Sequence, residues 1–273
     1  MKTIKTKEIF KRYESLKAFN DYLNAGTFQP SFSEYSKTAS ERFTGTATYE
    51  EAEQKMMRGN SDLQKKIEEA GVAKTRIKVQ KQVQRRQTYS SVVGAVPNVP
   101  AYISCAPNSM INQRLVKTKK KVLNIGYSMT ACGDVDKDDI IKASAKIVSA
   151  ILNIEASGVR VNLFTLFCAK KKSHIIGLSL KVKDSSRKID TLRMAYPLAH
   201  SSFLRRQCFR WEEVTENIPA IFGGGSYGYV PESSEQAEFF KRNGMKFDKV
   251  LTFGDIKNMS VDDIIKMMTE AAK

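Results

Sequence analysis

From about residue 115 onward the chain alternates between apolar strand-like runs and amphipathic helical ones, and this alternation limits it to a layered α/β fold. "KVLNIGYS" (residues 121–128) reads as a strand. In "DDIIKASAKIVSAILNIEASG", Ile140, Ile141, Ile147, Val148, Ile151 and Leu152 recur at helical spacing on one face, Asp136 or Asp138 is placed to cap the start, and Gly158 stops it. "VRVNLFTLFCA" and "HIIGLSLKVK" read as strands, the first apolar throughout as in a strand covered on both sides. Residues 189–216 read as partly helical with a break or kink at Pro197. "IPAIFGGGSYGYV" reads as a short strand and a glycine-rich loop. "SSEQAEFFKRNG" is a helix, "DKVLTFGD" a strand, and Ser260 caps a last helix, "VDDIIKMMTEAA". The expected fold is a three-layer α/β domain with a mostly parallel sheet and helices on both faces, Rossmann-like in plan. Ligands of such sheets bind beyond the carboxyl ends of the strands.

The N-terminal part reads differently. "IFKRYESLKAFNDYLNAG" carries Phe10, Tyr13, Leu16, Phe19, Tyr22 and Leu23 at helical spacing, with Gly26 as a stop. "FTGTATYEEAEQKMMRG" offers Thr48 and Glu51 as a capping box and Gly59 as terminator; "NSDLQKKIEEAG" repeats the device with Ser61, Gln64 and Gly71. Residues 27–46 read as an irregular connection. "KTRIKVQKQVQRRQTYSSVV" fits either an edge strand or a basic amphipathic helix. Pro97, Pro100 and Pro107 in "VGAVPNVPAYISCAPNSM" exclude a regular helix and predict an extended strap. The expected division is an α-rich N-terminal arm and strap over residues 1–114, then an α/β domain over 115–273.

Charge is the strongest compositional signal. The 273 residues carry a formal net charge of +16, and the excess sits in two blocks. Residues 70–133 contain eleven Lys/Arg and no acid, and residues 170–210 hold eleven Lys/Arg against two Asp. Such blocks predict contact with a polyanion. The candidate nucleic-acid-binding residues are Lys74, Arg76, Lys78, Lys81, Arg85 and Arg86, then Lys119, Lys120 and Lys121, then Lys170, Lys171 and Lys172, then Arg205, Arg206 and Arg210. Phe203, Phe209 and Trp211 lie beside the last group, where they serve either to stack bases or to fill a core. Cys105, Cys132, Cys168 and Cys208 form no metal-binding spacing, and with only His174 and His200 there is no zinc or triad pattern. No catalytic constellation emerges. "FGGGSYGY" lacks the Lys-Ser/Thr of a P-loop. The basic start has no apolar stretch of a secretory leader, and no run approaches the length that spans a bilayer.

The strand, the "GYSMT" turn, the following helix and the strand "GVRVNLFTLF" together resemble the opening of a von Willebrand factor A (vWA)-type domain. The resemblance implies a metal-dependent Asp-x-Ser-x-Ser motif on Gly126 to Thr130. Ser128 and Thr130 retain its hydroxyls, Gly126 replaces its aspartate, and Asp134 and Asp255 are the carboxylates available for a rearranged Mg²⁺ site. Without the leading aspartate the implied site is degenerate and no cofactor is expected; Asp134, Asp136, Asp138 and Asp139 then serve the next helix as cap and dipole partners. "FTGTATYEEAEQKMMRG" (Phe43–Gly59) and "VVGAVPNVPAYISCAPNSM" (Val92–Met110) further resemble a family of uncharacterised phage and prophage proteins, over roughly residues 40–170. That implies a setting in the cytoplasm of an infected or lysogenic bacterium, or in a virion. The expected function is a non-catalytic binding protein whose basic surface contacts nucleic acid or an acidic partner. The alternatives are a protein–protein adaptor or structural component, among whose partners an AAA+ ATPase would fit, and a Mg-dependent enzyme using Asp134, Asp136 and Asp255.

Overall fold

The computed structural model describes residues 8–28, 34–71, 86–115, 122–131, 135–222 and 227–270. Among them run eight strands: β1 (Glu8–Tyr13), β2 (Arg86–Ser91), β3 (Val96–Pro97), β4 (Met110–Leu115), β5 (Val122–Ser128), β6 (Arg160–Lys171), β7 (His174–Lys183) and β8 (Lys249–Thr252). Five make one sheet in the order β1-β7-β6-β5-β8, and β2-β4-β3 make a separate small one. In the large sheet β5 pairs parallel with β6 and with β8, and β1 parallel with β7, while β6 and β7 form an antiparallel hairpin. The fold is thus α/β, with a mostly parallel five-stranded sheet flanked by helices and a helical N-terminal region.

β6 shows why its sequence reads as an unbroken apolar run. Leu163, Phe167 and Ala169 face the larger core with the Lys137–Ala156 helix, while Phe164, Leu166 and Cys168 face a smaller one with Phe239 and Phe240. Both faces of the strand are therefore buried, and alternation between polar and apolar residues is not required. Each fully buried Leu, Ile or Phe contributes roughly 1.5–3 kcal/mol of transfer free energy.

Several expectations are corrected. Residues 8–13 form a strand, and the helix begins only at Leu16, capped by the Ser15 hydroxyl, which accepts from Ala18 N at 3.1 Å. Helical spacing and tertiary pairing compete here, and the β7 edge wins by supplying hydrogen-bond partners from Glu8↔Ile175 to Tyr13↔Leu180. β1 pairs in the large sheet, and the Leu16–Ala25, Tyr49–Arg58 and Ser61–Gly71 helices each place residues in the main core. The Ser61–Gly71 helix is capped by Asn60 rather than Ser61, since Asn60 Oδ1 accepts from Leu63 N at 3.0 Å. Pro197 lies inside the Thr191–Ala199 helix, which ends two residues later and is followed by a π-helical turn, Phe203–Cys208. "IPAIF" is a short helix, Ile218–Phe222, and Val99–Ile103 is a single helical turn within the predicted strap. Leu152, expected on the buried face of its helix, is 45% exposed. The caps at Thr48, Asp136 and Ser260 form as expected.

Candidate polyanion-binding surface

The carboxyl ends of β5 and β8 are where the vWA resemblance places a metal. Ser128 and Thr252 are register partners there, and Ser128 Oγ lies 3.1 Å from Thr130 Oγ1. Thr130 Oγ1 also accepts from Cys168 N at 3.2 Å, which ties the turn to β6. A Cβ on Gly126 would stand 2.6 Å from Leu166 Cδ1, so the strand has no room for an aspartate at that position without repacking the sheet face. Asp255 is brought to the same end, but its carboxylate caps the helix that starts at Phe253. Oδ2 accepts from Thr252 N at 2.9 Å and Thr252 Oγ1 at 2.7 Å, and Oδ1 accepts from Ser233 Oγ at 3.1 Å. Asp134 lies outside the described residues. Among the described residues no three His, Cys, Asp or Glu side chains gather as a metal-binding group. Ser128 and Thr130 are thus engaged with each other and with β6, and Asp255 with Thr252 and Ser233.

Arg205, Arg206 and Arg210 do not sit on the surface. Arg206 is fully buried, and all three of its nitrogens donate inward: Nε to Thr46 Oγ1 (2.8 Å), Nη1 to the Ser36 and Lys37 carbonyls, and Nη2 to the Ala39, Thr46 and Ala47 carbonyls (2.8–3.3 Å). Arg210 pairs with Glu34 and with buried Glu213, and Glu213 in turn accepts from the amide and hydroxyl of Ser36. Arg205 stacks on Phe43, 4.2 Å from the ring centroid, and donates to the Phe43 carbonyl. These three side chains clasp the 34–47 connection, whose two single-turn helices leave many carbonyls unpaired, onto the π-helical turn. The sequence held the signal, because the Arg205–Arg206 pair stands inside an apolar run. Phe203 and Trp211 are fully buried as well, with Trp211 Nε1 donating to Tyr13 OH at 3.0 Å, so they fill the core and do not stack bases. Lys170 pairs with Glu235 and Lys171 donates to the Phe222 carbonyl, while Lys172 stands exposed in the turn between β6 and β7.

Other cations converge at the opposite end of the sheet, where β1 and β7 finish. A cleft of about 630 Å³ there is lined by Lys17, Lys181, Arg187, Lys188 and Arg193, with Glu14, Asp184 and Asp190 among them. Its floor is set by Lys183, whose side chain is only 1% exposed. Lys183 Nζ donates to Glu155 Oε1 (2.5 Å) and to the carbonyls of Val161, Asp184 and Arg187 (3.0–3.4 Å). One buried ammonium therefore fixes the turn that presents Arg187 and Lys188. Lys181 is paired with Asp184 at 2.6 Å, and this contact, with the Ser186 amide, holds the Asp184 carboxyl below the usual carboxylate range. Arg193 lies 3.7 Å from Asp190, and Arg187 and Lys188 are exposed. Four of these cations lie in the 170–210 block without having been singled out, because they are spread over β7, the turn after it and the Thr191–Ala199 helix, and Lys17, on the Leu16–Ala25 helix, lies outside both blocks. The legible part was "KVKDSSRK", a strand running out through an Asp-Ser-Ser turn between cations.

The acid-free block surrounds the small sheet. Lys74, Arg76, Lys78, Lys81, Arg85, Lys119, Lys120 and Lys121 lie outside the described residues. Arg86 opens β2, and Arg114 on β4 is exposed, with its guanidinium on Gln87 Oε1 (3.2 Å) and 5.5 Å from the Tyr89 centroid. None of residues 87–114 is buried. Val92, Val93, Val96, Val99, Tyr102 and Ile103 are 56–75% exposed, with no acid among their neighbours in sequence. No helix of the described residues is long and apolar enough to cross a membrane.

No curated protein and no solved structure matches the chain. One family does, described as a domain of unknown function, and it matches residues 2–271, taking in the body, the small sheet and both cationic regions. Over essentially its whole length, then, this chain belongs to the DUF7192 family.

Proposed function

We propose that this is a non-catalytic, phage-encoded binding protein in which a vWA-like α/β body with a degenerate metal site carries a basic surface for nucleic acid. The order β7-β6-β5-β8, with β5 between β6 and β8 and followed by a helix, supports the vWA-like reading of the body. The observation that carries the polyanion reading is the cleft at the ends of β1 and β7, where Lys17, Lys181, Arg187, Lys188 and Arg193 meet in a chain of net charge +16. Cations held on a fixed turn, with an acid-free block elsewhere in the chain, fit a phosphate backbone. Fluorescence anisotropy with labelled single-stranded DNA, duplex DNA and RNA tests it. Binding is expected to fall by about tenfold or more between 50 and 200 mM salt, and Arg187→Glu with Lys188→Glu is expected to weaken it further. No binding at low salt to any of the three, or no effect of the double variant, rejects the reading.

A second reading, a protein–protein adaptor, is favoured by the small sheet, where six large apolar side chains stand in water within a stretch of sequence that carries no acid. An acidic protein surface, such as that of an AAA+ ATPase or of another phage protein, would be its partner. Binding that survives 200 mM salt and is lost with Ile103→Asp would favour it over nucleic acid.

A further inference from the structure

A second cavity, of about 330 Å³, opens at the carboxyl ends of β5 and β6, at the other end of the sheet from the cationic cleft. Phe43, Phe167, Phe209, Tyr227 and Tyr229 wall it, and Arg205 is the one charged residue among its described lining residues. The rings are set in advance. Phe209 and Tyr227 stack at 3.9 Å with planes 10° apart, and Tyr227 OH donates to Glu213 Oε1 at 2.7 Å, which fixes one wall. The Arg205 guanidinium lies over the Phe43 ring, 4.2 Å from its centroid, and donates to the Phe43 carbonyl, so the positive charge is held at the cavity wall rather than swinging in solvent.

Tyr229 is the residue that packing does not explain. Its ring is 76% exposed, yet its backbone is pinned to the end of β6 by two reciprocal hydrogen bonds with Lys170, each 2.8 Å. Gly228 makes this approach possible. Its φ is +77°, and a Cβ there would stand 2.5 Å from Phe222 Cε1 and 2.9 Å from the Lys170 carbonyl oxygen. An aromatic ring on a pinned backbone, exposed beside an aromatic-walled cavity with a fixed cation, offers a stacking platform beside an anion site.

We propose that this cavity binds a planar aromatic ring joined to an anionic group, that is, a nucleotide, with the base stacked against Tyr229 and the phosphate drawn to Arg205. The two sources of that chemistry are a free mononucleotide and the end nucleotide of a single strand. The site goes beyond the polyanion reading of the cationic cleft and does not rest on it, since the two share no lining residue.

Calorimetry on the full chain with AMP, UMP and a 5′-phosphorylated ten-nucleotide oligothymidylate tests the site, with adenosine (ring without anion) and ribose 5-phosphate (anion without ring) as controls. At least one nucleotide probe is expected to bind about tenfold or more tightly than either control. Tyr229→Ala, at an exposed position that costs the fold little, and Ala169→Leu, which fills the cavity floor, are each expected to weaken binding by about tenfold. Binding of AMP or UMP identifies a free nucleotide as the ligand; binding of the oligonucleotide alone, with the same sensitivity to Tyr229→Ala, identifies a strand end. The proposal is overturned if the nucleotides bind no better than ribose 5-phosphate. It is equally overturned if both cavity variants leave binding unchanged, or if only Arg187→Glu with Lys188→Glu removes it, which would assign the binding to the cleft.

Discussion

The small sheet over residues 86–115 and the α/β body use comparable residues to opposite ends. Both contain Val, Ile, Tyr and Arg. In the body Ile151, Val161, Leu163 and Phe203 are fully buried, and even Arg206 is drawn inside and saturated with carbonyls. In the small sheet the same residue types face water, and residues 87–114 have no interior at all. Three short strands with no buried face lie at the margin of independent stability. The body therefore sets the stability of the chain, while the small sheet offers surface. A residue's chemistry does not say which of these it does; the layers around it do.

The largest effect expected from this contrast is at the clasp. Arg206→Met removes a guanidinium and strands the carbonyls of Ser36, Ala39, Thr46 and Ala47, and should cost about 3–5 kcal/mol in urea unfolding. Arg114→Met in the small sheet should stay within about 0.5 kcal/mol. A loss below about 1 kcal/mol at Arg206 would break the distinction. Phe203→Ala against Ile103→Ala repeats the comparison with apolar groups. About 3–5 kcal/mol is expected at the buried ring, and at the exposed residue a change within about 0.5 kcal/mol.

Titration gives a third, smaller effect, confined to the body. Burial, with Lys55 and Lys137 nearby, pushes the His200 imidazole down to about 4. Below its ordinary value near 6.5 the unfolded chain takes up a proton that the folded chain does not, so stability falls as pH drops from about 6.5 to about 4. The expected loss is about 2–3 kcal/mol, and His200→Gln should flatten the curve measured by urea unfolding at a series of pH values. Glu212 has the opposite sign. It is fully buried, and desolvation with Glu213 beside it raises its carboxyl well above the usual range. The folded state then holds a proton that the unfolded state releases above its ordinary carboxylate pKa. Stability is lost as pH rises, and Glu212→Gln should stabilise the protein more at pH 8 than at pH 5. The smallest effect on stability is expected at the tip of the small sheet. Val93→Ser with Ile103→Ser should move the unfolding midpoint little, yet reduce retention on a hydrophobic-interaction column; an unchanged elution would mean that the exposed patch is not presented to solvent.

Much of the body was legible because it rests on local pattern. The helix caps at Thr48, Asp136 and Ser260, the apolar face of Lys137–Ala156 and the two-sided burial of β6 follow from spacing and side-chain type alone. The strand at Glu8–Tyr13 was not legible. Phe10 and Tyr13 sit at helical spacing, and only the open edge of β7 makes the extended conformation the better one. The candidate surfaces divide the same way. The sequence marked the two cationic blocks, but Arg205, Arg206 and Arg210 turn inward while Lys17, Lys181, Arg187, Lys188 and Arg193, from separate elements, share a cleft.

By itself the sequence determined the α/β class, the excess of positive charge and its position along the chain, and the glycine at position 126. These depend on composition and on periods of two and 3.6 residues, which neighbours in sequence are enough to set. Only the tertiary structure decided which cations meet solvent, that Asp255 is spent on a helix cap, and that five rings and one arginine surround a cavity at the ends of β5 and β6. Those outcomes are set by contacts between residues far apart in the chain, as in Arg205 on Phe43, 162 positions away, where burial and hydrogen-bond satisfaction outweigh anything local pattern records.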